Sequence, residues 1–461
     1  MSTNKSVSSG NMIGIDIGST SIKVSEIISN SKGLSITGLG MCRVPEGAII
    51  NDDIQEPKKL GLQIKALLKD LSINSKKCVI SFSAASRIMT KMLDVPRANS
   101  EKQISNSIKY EIERIFPYSS NDTEFDWCEI PMDVEYEQNI KAFVAVAHRK
   151  LVEDLLCTVK SAGLSLVAIE VSGLALGRCV TNDGNEGVQT SKVAVLNIGA
   201  AHTELNIFDG TTITSPGIAF DINGNTLTFA VENAMGLDFE EAERKKIEYS
   251  AIQIDKVESY LDANNTKDFS FGEGEFDTPF DDPNYNPLIS DETFDFSSGY
   301  SQEGQFDFDA EGEEIFDDNS SFVDESEDKA FEDDAIDTEQ ETIEESIQEE
   351  EAVSEKYNSE EANDVLMSIL PSLLDLSREV RMQLEEYYNT SGSVIDKLIL
   401  SGGTSKIPGI ALLFERQVGL ETKLLSLDEK FDLKLSSADV AEDTSSIYPV
   451  SIGLAVRNFI E

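Results

Sequence analysis

This 461-residue sequence is short of positive charge, of histidine and of paired cysteine. Lysine and arginine number 38 against 85 acids, a formal net charge of −47. A surface of that sign repels phosphodiesters and anionic headgroups, which argues against nucleic acid as a partner. His148 and His202 are the only histidines, too far apart in sequence for a metal pair or a hydrolase triad. Cys42, Cys78, Cys128, Cys157 and Cys179 are odd in number and lack a C-x-x-C pair, which argues against a disulfide framework and a zinc site and for a reducing cytoplasm. No run approaches the roughly 18 apolar residues of a membrane span. The opening MSTNKSVSSG is polar, without a signal-peptide core. Residues 1–10 therefore read as a disordered tail, and the chain as a cytoplasmic protein without direct membrane insertion.

What is present is 40% hydrophobic residues, enough for two or three cores of ordinary size. The charge is concentrated: residues 261–360 hold 35 acids and 3 bases, leaving an ordinary acidic globular protein elsewhere. That segment has no sustained period of 2 or 3.6, and burial cannot offset its backbone entropy, so disorder is the expectation. It nevertheless carries 11 of the 22 phenylalanines, as in ETFDF and QFDFDAEGEEIFDD. A solvated insertion without a partner and a set of Phe-acid docking motifs for a basic partner are both open readings. Apolar spacing over 366–388 predicts a core helix, and Trp127 is expected in packing.

Two segments repeat each other. Residues 13–27 (IGIDIGSTSIKVSEI) and 194–208 (AVLNIGAAHTELNIF), aligned on Gly18 and Gly199, each read as an apolar strand, a polar residue two before the glycine, a small-residue turn and an alternating strand. Small residues at a hairpin tip let backbone N–H groups approach a phosphate, and a carboxylate beside the tip can hold hydrated Mg²⁺. Asp16 is placed for that, and Lys23 for the phosphates. One such hairpin is more simply a tight turn; two matched copies favour phosphate contact by Ser19 and Thr20. His202, in the second turn, reads as a loop residue or a phosphate contact. A third cluster follows a buried-strand pattern at 397–401: Gly402, Gly403 and Thr404, then Ile407-Pro408-Gly409 before an amphipathic helix. Between them lie a helix from Gly224 and a capped, charged helix in which Glu243 and Lys246 share a face.

DIGSTSIK, VLNIGAAHTEL and LILSGGTSKIPG resemble the two phosphate motifs and the adenosine motif of the actin-like ATPase superfamily. Residues 107–118 with Asp126-Trp127, then 151–176, EEAERKK and 378–388 narrow the resemblance to the PilM family of type IV pilus assembly proteins, related to FtsA of cell division. It covers 12 to about 255 and about 362 to 461. It implies an α/β fold: a duplicated ribonuclease H-like architecture with an FtsA-like extra subdomain and the long acidic insertion. The implied parts are a first lobe at 11–79 and 148–190, the extra subdomain at 80–147, a second lobe at 191–230 and 390–461, and a lid at 231–260 and 361–389. ATP and Mg²⁺ are the implied cofactors. Gly18, Ser19, Thr20, Ser21 and Lys23, with Asp16, would meet the nucleotide's phosphates from one side, and Asn197, Gly199, Ala200, Ala201 and Gly224 would bind it from the other. Glu243, Lys246 and Gly402 to Thr404 would hold the nucleoside, and Glu170 falls near a residue that orients water. The implied partner is the cytoplasmic N-terminal segment of a PilN-type inner-membrane protein, which would hold the chain peripherally at that membrane; pilus motor ATPases and self-association are further implied partners.

This sequence departs from the pattern at Asn197, where an aspartate is usual, so ATP binding is expected with slow or absent hydrolysis. Ser215-Pro216-Gly217 stands where an arginine is common, and Asn223-Gly224 where two glycines are. An FtsA-like division protein would add a C-terminal amphipathic membrane helix, whereas residues 448–461 read as a last core helix. A sugar kinase or chaperone-type ATPase would need a carboxylate base in the cleft.

Overall fold

The computed structural model describes residues 10–30, 33–83, 87–116, 119, 121–130, 138–180, 191–263, 356–427, 432–433 and 445–459. Residues 1–9 of the expected disordered tail, and all but the two ends of the acidic segment, lie outside the described residues; Gly10, assigned above to the tail, opens the first strand instead.

Strands β1 (Gly10–Ile17), β2 (Ser21–Asn30) and β3 (Gly33–Arg43) form an antiparallel meander. A two-residue pair, β4 (Ile49–Ile50) and β5 (Asp53–Ile54), and helix α1 (Pro57–Asp70) follow. Strand β6 (Lys77–Phe82) then returns parallel to β1. The chain leaves this sheet through β7 (Ile88–Pro96), α2 (Glu101–Ile115), β8 (Thr123–Ile130) and β9 (Asn139–His148), and re-enters by α3 (Arg149–Ala162) and β10 (Ser165–Ile169), parallel to β6. Helix α4 (Ser172–Val180) leads to the second half. There β11 (Lys192–Ile198), β12 (Thr203–Asp209) and β13 (Thr212–Phe220) again form an antiparallel meander. Helices α5 (Gly224–Met235), α6 (Phe239–Tyr249), α7 (Ile254–Ala263) and the 32-residue α8 (Glu360–Ser391) intervene. Strand β14 (Lys397–Ser401) then runs parallel to β11; α9 (Ile410–Val418) and β15 (Thr422–Leu424), parallel to β14, complete the sheet.

Five strands of the first sheet therefore run β3-β2-β1-β6-β10 and the second sheet runs β13-β12-β11-β14-β15, the same order with the same sense at every step; a short sixth strand flanks β3. That is a ribonuclease H-like fold used twice, and it explains why the two glycine hairpins resemble each other. The central strands are buried on both faces, as strands covered by helices on both sides are. In β1, Ile13, Ile15 and Ile17 point into a core closed by α1 and α3, while Met12 joins a second core that also takes in Val193, Val195 and Phe208 of the other half.

That shared core is built around α4 and α10 (Pro449–Val456), whose eight residues are all buried. Residues 390–461 were assigned above to the second lobe, but α10 packs against β1, β2 and β6, and β16 (Asp432–Leu433) pairs with β3. A helix buried on every side, with Ser451 its one polar side chain, gives little sequence signal of which sheet it covers. Residues 80–82, assigned above to the extra subdomain, close β6 of the first sheet instead. The small sheet β7-β9-β8 carries α2 on one face, with Ile104, Ile108 and Ile112 at four-residue spacing against Val144 and Val146. Trp127 packs there too, its Nε1 donating to Ser105 Oγ at 2.9 Å.

Candidate functional site

The cleft is made where matching turns of the two sheets meet. After β1 the chain must reverse within three residues, and Gly18 N–H donates to Ser21 C=O at 2.9 Å; after β11, Gly199 N–H donates to His202 C=O at 2.9 Å. The second turn is tied to the start of α5, because Gly224 N–H donates to Gly199 C=O and Asn225 N–H to Ala200 C=O. Asn223 caps α5 through its side chain, which also donates to Ala201 C=O at 3.0 Å. A Cβ at Gly224 would meet Thr404 Oγ1, Gly199 C=O and the Ala200 backbone at 3.0–3.2 Å, so three motifs distant in sequence touch here.

Gly402 holds the third corner. Its φ of +92° and ψ of 166° suit glycine alone, and a Cβ would lie 2.4 Å from Ile198 O and 2.8 Å from Asn197 Oδ1. Bare backbone is thus presented at both lobes. Every residue assigned above to cofactor binding, from Asp16 to Lys23, from Asn197 to Ala201, and Gly224, Glu243, Lys246, Gly402, Gly403 and Thr404, lines one cavity of about 1150 Å³.

The charge balance of the cavity runs against that of the chain. Lys23, Lys91, Lys246 and Lys406 line it together with the carboxylates of Asp16, Glu204 and Glu243. Four cations against three anions in a chain of net charge −47 make this a place for an anion. Lys246, on the inner face of α6, donates to Gly224 C=O at 3.0 Å, Thr228 Oγ1 at 2.9 Å and Glu243 Oε2 at 2.6 Å. Burial pulls its pKa below the ordinary lysine value, with Glu243 acting in the opposite direction.

Asp16 is buried, and Lys23 Nζ reaches its Oδ2 at 3.2 Å. Its other oxygen, Oδ1, is buried without a hydrogen-bond partner. An unpaired buried carboxylate oxygen is costly, so a hydrated cation or its water fits the position. Among the described residues there is no group of three or more His, Cys, Asp or Glu placed to hold a metal.

Glu170 stands apart. It does not line the cavity: Arg178 holds it with two bonds of 2.7 Å and Arg457 Nε reaches it at 3.2 Å. His202 lines the cavity, and its Nε2 meets Asp52 Oδ1 at 2.8 Å, which ties the second-lobe turn to the β4–β5 turn of the first lobe. Two residues escaped the reading of the sequence. Glu204 lies in the cavity wall, its Oε1 accepting from Ser172 Oγ at 2.8 Å and Asn206 Nδ2 at 3.0 Å. Burial pushes its carboxyl up; the bonds from Ser172 and Asn206 and the charge of His202 pull it down, and Asp16 adds to the rise. Ser250, at the end of α6, also lines the cavity and keeps a buried Oγ without a partner. The register of the repeat would have found Glu204, since it falls on the position of Lys23.

A family model described as Type IV pilus assembly protein PilM matches residues 14–254 and 336–459. Among solved structures, one described as the PilM-PilN type IV pilus biogenesis complex superposes with a TM-score of 0.65 at 18% identity, covering 98% of this chain and 99% of that one. The ethanolamine utilization protein EutJ from Carboxydothermus hydrogenoformans gives 0.45 at 10% identity, over 97% and 89% of the two chains. MreB5 of Spiroplasma citri bound to ADP gives 0.40 at 10%, over 96% and 94%.

Proposed function

The chain belongs to the PilM family of type IV pilus assembly proteins, and from that premise we propose that it is a nucleotide-binding scaffold which presents a surface to the cytoplasmic N-terminal segment of a PilN-type membrane protein. The observation that carries the nucleotide part is the convergence of both glycine hairpins and the Gly402–Thr404 corner on one cleft with an excess of lysine. Bare backbone, Lys23 and Lys246 suit the phosphates and sugar of ATP, and Asp16 suits its hydrated Mg²⁺.

The cleft lies between two sheets that share one core, so a ligand held from both sides favours one relative angle of the lobes. Nucleotide would thereby select the partner-binding state. Chemistry is secondary in this reading: Asn197, which faces Gly402, has no carboxylate to offer an attacking water, and turnover is slow. No helix among the described residues is long and apolar enough to cross a membrane. The partner is what would hold the chain peripherally at the inner membrane, a reading supported by the fold match to a complex containing PilN.

The test is a fluorescence-polarisation titration of a labelled N-terminal peptide from the PilN-type protein of the same organism, with and without Mg-ATP. Saturable binding that shifts with nucleotide is the expected result. Binding indifferent to nucleotide removes the switch, and no binding in either state removes the partner.

A further inference from the structure

The two hairpins are superposable in register but opposite in charge. In the first, Asp16 on β1 faces Lys23 on β2; in the second, Asn197 on β11 faces Glu204 on β12. The acid missing from the inner strand of the second hairpin thus reappears directly across the ladder, on the same face of the sheet, because cross-strand partners share a face. Asp16 and Glu204 both line the cleft, one from each lobe.

Glu204 is held ready and left unpaired. Ser172, at the start of α4, and Asn206 both bond its Oε1, and Asn206 is itself fixed by accepting from Gly217 N–H at 2.8 Å. Among the described residues, Oε2 accepts no hydrogen bond and no lysine or arginine pairs with the group. In the first lobe Asp16, whose charge reaches Glu204, has its Oδ1 orphaned on a side chain only 6% exposed. Two carboxylates with one oxygen each to spare make a cation site, and a magnesium-type ion takes one or two carboxylates, completing its shell with water and phosphate.

We propose that Glu204 is the second carboxylate of a divalent-cation site whose first is Asp16, taking over at the position where the repeat carries Asn197. The phosphate share of the shell rests on the nucleotide reading above; the two carboxylates do not. With Lys23 compensating one acid, the pair keeps one net negative charge toward the cation. Ser172 then acts as a positioning residue that couples α4 to the metal.

Manganese is the probe. The free Mn²⁺ electron paramagnetic resonance signal is titrated with the full chain, alone and with ATP, for wild type, Glu204→Gln, Glu204→Asp, Asp16→Asn and the surface control Glu111→Gln. Weak binding by the acidic segment is common to all five and cancels. The expected result is one tight Mn²⁺ per wild-type or control chain, loosened at least tenfold by Glu204→Gln and by Asp16→Asn, and less by Glu204→Asp, which keeps the charge should the glutamine variant fold poorly. A wild type with no stoichiometric site in either condition overturns the proposal, as does a folded Glu204→Gln that binds like wild type. A parallel titration of labelled ATP, in EDTA and with saturating Mg²⁺, separates the two ideas: Mn²⁺ bound through Glu204 with no ATP binding in either condition sinks the nucleotide reading alone, and ATP binding with an indifferent Glu204→Gln sinks the metal site alone.

Discussion

Replacing Gly14 by alanine tests the packing that joins the two lobes. A Cβ at Gly14 would lie 1.8 Å from the Ser451 carbonyl oxygen and 2.8 Å from Ala455 N, both backbone atoms of α10. Ordinary carbon contacts sit at about 3.5–4.0 Å, so the helix would have to retreat by well over 1 Å. It has nowhere to go. Ser451 and Ala455 are one turn apart on the face toward β1, whereas Gly453 is on the opposite face, where a Cβ would lie 1.9 Å from Ala175 O of α4. Overpacking costs typically about 1–3 kcal/mol where side chains can give way. Here the colliding atoms are backbone on both flanks, which sets the expected loss at about 3 kcal/mol or more, or roughly 1 M or more in the urea midpoint. Circular dichroism across a urea series on the full chain reads it. Gly10→Ala, where nothing lies within 4 Å, is the matched control. A Gly14→Ala midpoint equal to the control's would refute the clamped-helix argument, and with it the view that α10 ties the sheets together.

Gly402→Ala combines a left-handed φ with a contact of 2.4 Å, and should cost the fold about 1–3 kcal/mol while weakening binding of labelled ATP at least tenfold. Arg178→Ala leaves Glu170, whose side chain is 6% exposed, with Arg457 alone; a loss of about 3 kcal/mol in chemical denaturation is expected. Thiol labelling at pH 8 should modify exposed Cys128 first, at a rate slowed because burial and the Asp126 charge push its thiol up, and spare Cys78, fully buried with a pKa pushed up to about 12, until the chain unfolds. Arg87 holds the Asp53 carboxyl below its ordinary value, so the pair contributes stability at and above the normal carboxylate range that fades as pH falls through the lowered value. Both groups are partly exposed, so Arg87→Ala should cost under about 1 kcal/mol at pH 7, and a difference in melting temperature that vanishes at acid pH is the signature.

The sequence alone carried the duplication, because a strand, a glycine turn and a second strand are local features with a period that can be read directly. The same locality made Asp16, Lys23, Gly199 and Gly402 visible, since each sits at a turn whose backbone demands a small residue or whose edge demands a charge. The sequence also showed that Asn197 breaks the repeat. What it did not show was that Glu204 faces Asn197, because strand register is set by hydrogen bonding across the sheet. Nor did Glu170 announce that Arg178 and Arg457 would claim it, the second from 287 residues away. The place of α10 was likewise settled by packing: a buried, mostly apolar helix can cover either sheet, and the absence of side chains at Gly14 and Gly453, with the bond between the Ser451 and Ser25 hydroxyls, holds it on the first. Local chemistry thus determined which residues could meet a phosphate, and tertiary packing decided which of them meet one another.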